Sequence, residues 1–358
     1  MNRFSISATI LAASLLSSTS IFAASANVRT YATEYSHTIA HGAVTNSAFD
    51  PLTASDQELN DANLPPRPSA DAHQHALLAW QKAVTTKSDR IIPHLQESGI
   101  KHTPHKLSSQ SVDHTAMTST NWSGYALQKP TTPFLTIAGD WTITNVKPPT
   151  LTSTCPGGGY AISSTWIGID GITSPDVFQA GVDNAVYCSN FINQTQTQVW
   201  YEWYPNPATV ITNISASPGD SVFVQIWATS TTVGHMYFIN YTTNKSISIT
   251  FNAPAGTTLK GDSAEWIVEV PEVSTTPTSK TFVPATLPNF GQQFMTDAYA
   301  ALKDPTNGNI VPTTGMTIGA TGNSTLTSIN LVDSTHTKVL NSVSSLGISS
   351  MLFQETIQ

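Results

Sequence analysis

From Met117 onward the chain reads as short runs in which apolar residues occupy alternate positions, each run closed by Gly, Pro, Asn or Ser. Leu135, Ile137, Trp141 and Ile143 alternate around Gly139, and Val222, Val224 and Ile226 alternate with Phe223, Gln225 and Trp227. Ile247, Ile249 and Phe251 are separated by Ser248 and Thr250. A period of two sends successive side chains to opposite faces of a strand, and frequent turn residues reverse the chain between strands. Residues 116–358 are therefore expected to form one all-β domain, a two-sheet antiparallel β-sandwich of jelly-roll or concanavalin-like type.

Composition narrows the function classes. Charged residues make up 11% of the 358 residues, against about 25% in ordinary soluble domains. With 15 Lys plus Arg against 23 Asp plus Glu, there is no electrostatic footprint for nucleic acid. Two cysteines can make neither a disulfide-dense scaffold nor a four-thiolate zinc site. No stretch approaches the ~18 apolar residues that a membrane span needs. Residues 1–26 read as a secretory signal. Arg3 supplies the positive end, Ile6 to Leu16 the apolar run, and Ala24-Ser25-Ala26 the small residues for cleavage. The product is expected to be secreted, extracellular and monomeric.

Charge is unevenly divided. Residues 1–115 hold 8 of the 15 basic residues, including every Arg, and 8 of the 10 His, whereas residues 116–358 hold 7 Lys, no Arg and two His. At low pH, with carboxylates protonated, the second part would carry little positive charge and so little self-repulsion. The first part also carries the clearest helical signal. Ser69 and Asp71 can cap a segment in which Leu77, Trp80 and Val84 recur at helical spacing. The prolines at 65, 66 and 68 and the run from Leu107 to Ser111 read as linkers. Residues 27–115 are accordingly read as a partly helical pro-segment, an intramolecular inhibitor removed on maturation. Its histidines (37, 41, 73, 75, 94, 102, 105 and 114) are either scattered solvated side chains or an acid switch that alters docking on the acidic domain.

An exported chain favours pairing of Cys155 with Cys188; two buried free thiols are the alternative. The usual hydrolytic signatures are missing. The sequence has no His-Glu-x-x-His, no Gly-x-Ser-x-Gly and no paired Asp-Thr-Gly or Asp-Ser-Gly. His235 lies in a strand-like run and reads as structural. The dispersed His and carboxylates of the domain converge on no metal spacing, so neither metal nor cofactor is expected.

Trp, Gly and carboxylates instead concentrate in short blocks. They are Asn121-Trp122-Ser123-Gly124, Trp166-Ile167-Gly168-Ile169-Asp170-Gly171, Gln179-Ala180-Gly181-Val182-Asp183, Trp200-Tyr201-Glu202-Trp203-Tyr204-Pro205 and Ala264-Glu265-Trp266-Ile267-Val268-Glu269. In a strand, Trp200, Glu202 and Tyr204 share one face, and Glu265 and Glu269 share another, opposite Trp266 and Val268. A carboxylate flanked by indoles is costly unless satisfied or used. Singly, each block could be aromatic core with rim carboxylates.

In this order, from Asn121 to Glu269, the blocks resemble the eqolisins, the glutamic peptidases, a family of secreted acid proteases with a β-sandwich fold. The resemblance implies a catalytic dyad of Gln179 and Glu269. Glu269 would act as general base and then acid on an attacking water, and Gln179 would stabilise the oxyanion. It also implies that Trp122, Trp166, Asp170, Glu202 and Tyr204 line or brace the substrate cleft, with proteins or peptides as substrates. One position departs from the family pattern: Gln198 stands where an Asp precedes the Trp200 block.

Two rivals come from other classes. A retaining β-sandwich glycosidase could use Glu202 and Glu269 as its paired carboxyls, and a carbohydrate-binding module could use the Trp and Tyr faces. Gln179 discriminates, since neither rival needs its amide.

Overall fold

A computed structural model describes residues 28–356, apart from 34, 36, 70–71, 107–115, 129–130, 150–154, 156–158, 189–193, 277–278 and 304–315. The expected signal at 1–26, the linker-like run at 107–111 and His114 lie outside the described residues.

The alternating runs are antiparallel strands in two packed layers. One layer runs, in spatial order, Thr209–Ile211, Thr195–Trp203, Phe178–Tyr187, Tyr160–Ile169, Ser263–Glu269, Trp122–Gln128 and Thr325–Val332. The other runs Lys245–Asn252, Val233–Asn240, Ser221–Ser230, Phe134–Thr142 and Gln292–Leu302. The Val339–Ser345 and Met351–Glu355 strands bridge the edges of the two layers. Between the layers lies the main core, where Ile167, Phe178, Ala180, Val182, Trp203 and Trp266 meet Ile137, Val224, Ile226, Phe238, Ile249 and Phe251. The expected β-sandwich is the observed fold. Cys155 and Cys188 are bonded, with Cα atoms 6.1 Å apart.

A two-layer sandwich leaves two outer faces, and here neither is left to solvent. On the second layer Phe223, Trp227, Tyr237, Ile239 and Tyr299 point outward, where Leu59, Leu64, Ala76, Ala79, Trp80 and Ala83 of the N-terminal segment cover them. This explains why residues 222–227 carry large apolar side chains on both phases, Val222, Val224 and Ile226 on one and Phe223 and Trp227 on the other: each phase meets a different core.

The N-terminal segment is woven into the sandwich. Its strand Thr38–Val44 adds to the edge of Lys245–Asn252, and its strand Leu95–Glu97 extends the first layer beyond Thr209–Ile211. Between them lie helices Asp56–Asp61 and Gln74–Thr85. The expected helix is present, but Ser69 does not cap it, and Asp71 lies outside the described residues. The cap is His73, whose ring Nδ1 accepts from the His75 N–H at 3.3 Å. The first helix carries a capping box, Ser55 with Glu58. The prolines at 65–68 are not a loose linker either, since the indole N–H of Trp80 donates to the Pro65 carbonyl at 2.9 Å. Among the described residues, no helix is long and apolar enough to cross a membrane.

Candidate active site

The outer face of the first layer carries the aromatic and acidic residues singled out in the sequence. Register brings them together. Gln179 lies opposite Glu202 on one side and Gly168 on the other, while Gly181 lies between Trp200 and Trp166. Residues two apart share a face, so Gln179, Asp183, Trp200, Glu202 and Trp166 all point into one trough. The glycine is required there, because a Cβ at Gly181 would stand 2.5 Å from the Trp166 Cβ and 2.4 Å from the Thr165 carbonyl oxygen. The Ser263–Glu269 strand completes the trough from the other side of Trp166. It contributes Glu265, Ile267 and Glu269 to this face, while Trp266 and Val268 join the core between the layers.

The trough is filled by the chain's own residues 100–106. Ile100 and Lys101 pair with the Glu272–Ser274 strand, and Ile100 is buried among Ile162, Val270, Val273 and Leu331. The next residue, His102, is fully buried. Its ring stacks on Trp200 at 3.5 Å between centroids, 3° from parallel. Its Nδ1 lies 2.9 Å from Glu202 Oε2 and its Nε2 lies 3.0 Å from Asp183 Oδ1. Burial opposes a charge on this ring, but Asp183 and Glu202 more than offset it and raise His102 to about 10. The ring is an imidazolium held between two carboxylates and an indole.

Beyond His102 the main chain meets the two residues expected to form the dyad. Gln179 Nε2 donates to the His102 carbonyl at 2.8 Å. Glu269 Oε1 accepts from the Thr103 N–H at 3.1 Å, and its Oε2 accepts from the Trp166 indole N–H at 2.8 Å. Burial pushes Glu269 up to about 8; His102 pulls it down, Glu202 pushes it up, and the Thr103 and Trp166 donors favour the ionised form. A general base working in acid must stay ionised there. Under this covering segment, dehydration works against that.

Asn121 fixes the exit of the segment, donating to the Thr103 and Pro104 carbonyls at 3.2 Å and accepting from the Lys106 N–H at 3.0 Å. Lys106 Nζ also reaches Glu272 at 2.5 Å.

Residues 120–340, more than half of the chain, match the peptidase A4 family. The chain belongs to the peptidase A4 family. It is 35% identical to aspergillopepsin-2 of Aspergillus niger over 163 residues, 42% of this chain and 56% of the relative. It is 33% identical to scytalidopepsin B of Scytalidium lignicola over 114 residues, 32% of this chain and 41% of that one. The chain thus spans about half the length of these curated relatives. The crystal structure of scytalido-glutamic peptidase with a peptide-based transition-state analogue superposes with a TM-score of 0.50 at 22% identity, covering 66% of this chain and 98% of that one. That likeness concerns the fold.

The remaining A4 blocks build the walls of the trough. Trp122 is fully buried and meets Trp166 edge-on at 4.9 Å. Tyr204 sits at the rim, its ring 5.9 Å from the Lys101 ammonium. Asp170 does not touch the covering segment. It adopts a left-handed φ of 74° and its carboxylate accepts from the Lys260 and Asp262 N–H groups at 2.8 and 2.9 Å, so it braces a turn. Gly171, next in the chain, offers its carbonyl to the His105 N–H at 3.0 Å. Gln198, the departure from the family pattern, lies opposite Asp183 and lines a groove of about 410 Å³ that continues past Ile100 and Tyr160.

Sequence reading missed Asp183, Trp200, Asn121 and His102 as cleft groups. The first three lay inside the quoted blocks, and strand parity already placed Asp183 on the face of Gln179. His102 had no local signal among eight histidines. No group of three or more His, Cys, Asp or Glu that could hold a metal occurs among the described residues.

Proposed function

We propose that this A4-family chain is a secreted, monomeric acid endopeptidase that hydrolyses peptide bonds in proteins with the dyad Gln179 and Glu269, and that residues 27–115 are its inhibitory pro-segment. One observation carries this reading. Gln179 and Glu269 grip the two ends of a single peptide group, the amide of one on its carbonyl oxygen and the carboxyl of the other on its nitrogen.

Those contacts supply the groups that amide hydrolysis needs. An ionised Glu269 takes a proton from water, which attacks the carbonyl carbon. Charge then develops on the carbonyl oxygen, where the Gln179 N–H already points. A preorganised donor of this kind is worth about 3 kcal/mol in the transition state. Glu269 then returns its proton to the departing nitrogen. The oxygen Oε1 of Gln179 is buried with no partner among the described residues and can hold the attacking water in line. The Trp166 donor favours the ionised form of Glu269, the form that acts as base.

Inhibition follows from occupancy, since a substrate cannot enter while residues 100–106 fill the trough. The glycosidase reading with Glu202 and Glu269 has less support. In that reading Gln179 has no role, and the trough holds polypeptide along its length.

The test is casein digestion at pH 3 by the wild-type protein and by Glu269→Gln, with folding checked by circular dichroism. Loss of cleavage in a folded variant is expected. Undiminished cleavage by Glu269→Gln would sink the dyad.

A further inference from the structure

We infer that the His102–Thr103 peptide bond is an intramolecular substrate: the chain cuts itself at this bond, and the cut opens the cleft. This rests on the dyad proposed above and goes beyond it, because a blocking segment need only fill space. An inhibitory segment can cross a catalytic pair in the wrong direction or off register. Here the peptide group over the dyad has its carbonyl oxygen on Gln179 and its nitrogen on Glu269, the sense in which both groups can act.

Three contacts hold the bond in that register. On the carbonyl side, His102 is locked by Trp200, Asp183 and Glu202, with its own N–H donating to Glu202 Oε2 at 3.0 Å. On the nitrogen side, Asn121 holds the Thr103 and Pro104 carbonyls. Further upstream, Ile100 is pinned in a buried cluster. Reacting groups fixed this way gain the orientational advantage of an intramolecular reaction.

The step balances as a hydrolysis. Water oxygen bonds to the His102 carbonyl carbon and gives a proton to Glu269. The C–N bond then breaks, and Glu269 passes that proton to the Thr103 nitrogen. The products are a carboxyl group on His102 and an amino group on Thr103. With that bond broken, the peptide group held by Gln179 and Glu269 no longer exists, and the two new ends can part to free the dyad. Before the cut, both oxygens of Glu269 are engaged by N–H donors, so water must displace one of them, which makes the cut a slow single turnover.

The experiment uses the full chain, purified at pH 7.5 and shifted to values between pH 3 and 6. Intact mass and N-terminal sequencing are followed with time at protein concentrations spanning a hundredfold. A fragment beginning at Thr103 should appear first, at a first-order rate that does not change with concentration. His102→Ala should slow it at least tenfold. Thr103→Pro, which removes the N–H held by Glu269, should leave this bond whole. Should Thr103→Pro fail to fold, a synthetic peptide of residues 100–106 offered to the processed protein gives the same readout, with cleavage after its histidine expected. A first fragment starting elsewhere, or a half-life that shortens with concentration, overturns the inference. Casein digestion separates the two ideas. Casein hydrolysis by a chain whose His102–Thr103 bond stays whole defeats this inference alone, whereas a protein that cuts neither casein nor itself defeats the peptidase reading.

Discussion

The indole N–H of Trp166 points at Glu269 Oε2 from 2.8 Å, across two neighbouring strands in which Glu269 stands opposite Ser164. The pair is diagonal in the sheet, two residues apart in register, a separation that long side chains bridge. Both side chains are fully buried. The contact favours the ionised carboxyl against the burial that opposes it.

Trp166→Phe keeps most of the ring and removes that donor. The carboxyl of Glu269 should then hold its proton to higher pH, and the acidic limb of the pH profile of kcat/KM should move upward. A hydrogen bond to a charged group contributes about 1.5–3 kcal/mol, so activity in the acid range should fall by roughly 10- to 150-fold. An unmoved acidic limb would show that Trp166 only packs.

Gly181→Ala should cost stability and activity together. Its Cβ would meet the Thr165 carbonyl at 2.4 Å and Trp166 at 2.5 Å, groups belonging to the adjacent strand that cannot swing aside. Overpacking of this kind typically costs about 1–3 kcal/mol. Displacing Trp166 also moves the donor on Glu269. A lowered midpoint in urea accompanied by lost peptidase activity is expected. Wild-type values for both would mean that the two strands can part.

These two sites show how far the sequence reaches. Strand parity correctly divides the Ala264–Glu269 block into core-facing Trp266 and cleft-facing Glu269, because a period of two is a local property. The resemblance carried by the order of the blocks implies that Gln179 and Glu269 act as a pair, and both side chains meet the same stretch, residues 102–103. Which strands lie side by side is not local. That Gly181 separates two indoles follows from pairings with 160–169 and 195–203, fixed only when the layers assemble. Asp170 illustrates the same gap: its block predicts cleft membership, while its left-handed backbone turns the carboxylate to the 260–262 turn. His102 becomes special only where residues 100–106 cross a sheet assembled from strands far along the chain.

The N-terminal layer should remain attached after any cut in residues 100–106. Trp80 is 1% exposed and closes the cluster over Phe223, Trp227, Tyr237 and Tyr299. Detaching that layer would bare a contiguous aromatic patch of the kind soluble monomers rarely show. Size-exclusion chromatography of the cut protein should show the two fragments eluting together. Trp80→Ala should destabilise the intact chain by about 3–5 kcal/mol and allow the layer to separate after the cut. Separate elution of the wild-type fragments would count against a permanent layer.

Acid should loosen the docking of the N-terminal segment at its edge strand and in the trough, through histidines that the fold keeps neutral. Burial, with Arg90 nearby, lowers His41 to about 4. Burial lowers His105 to about 4, its ring nitrogens having no partner among the described residues. On the sandwich side, burial and the facing His41 lower His235 to about 3, where it stacks on Trp227 and bonds to Asn63 of the segment at 2.6 Å. For each, the docked state binds the proton less readily than the free chain, whose imidazole titrates near 6.5. Their contribution to docking is therefore complete above about pH 6.5 and declines as pH falls towards 4, or towards 3 for His235. His102 has the opposite sign. Its raised value makes its contribution complete below about 6.5 and lost only as pH rises through about 10. In Glu269→Gln, used so that no bond is cut, Tm should drop between pH 6.5 and 4. His41→Gln combined with His105→Gln should flatten that drop. An equal slope in the variant would assign the acid sensitivity to carboxylates instead.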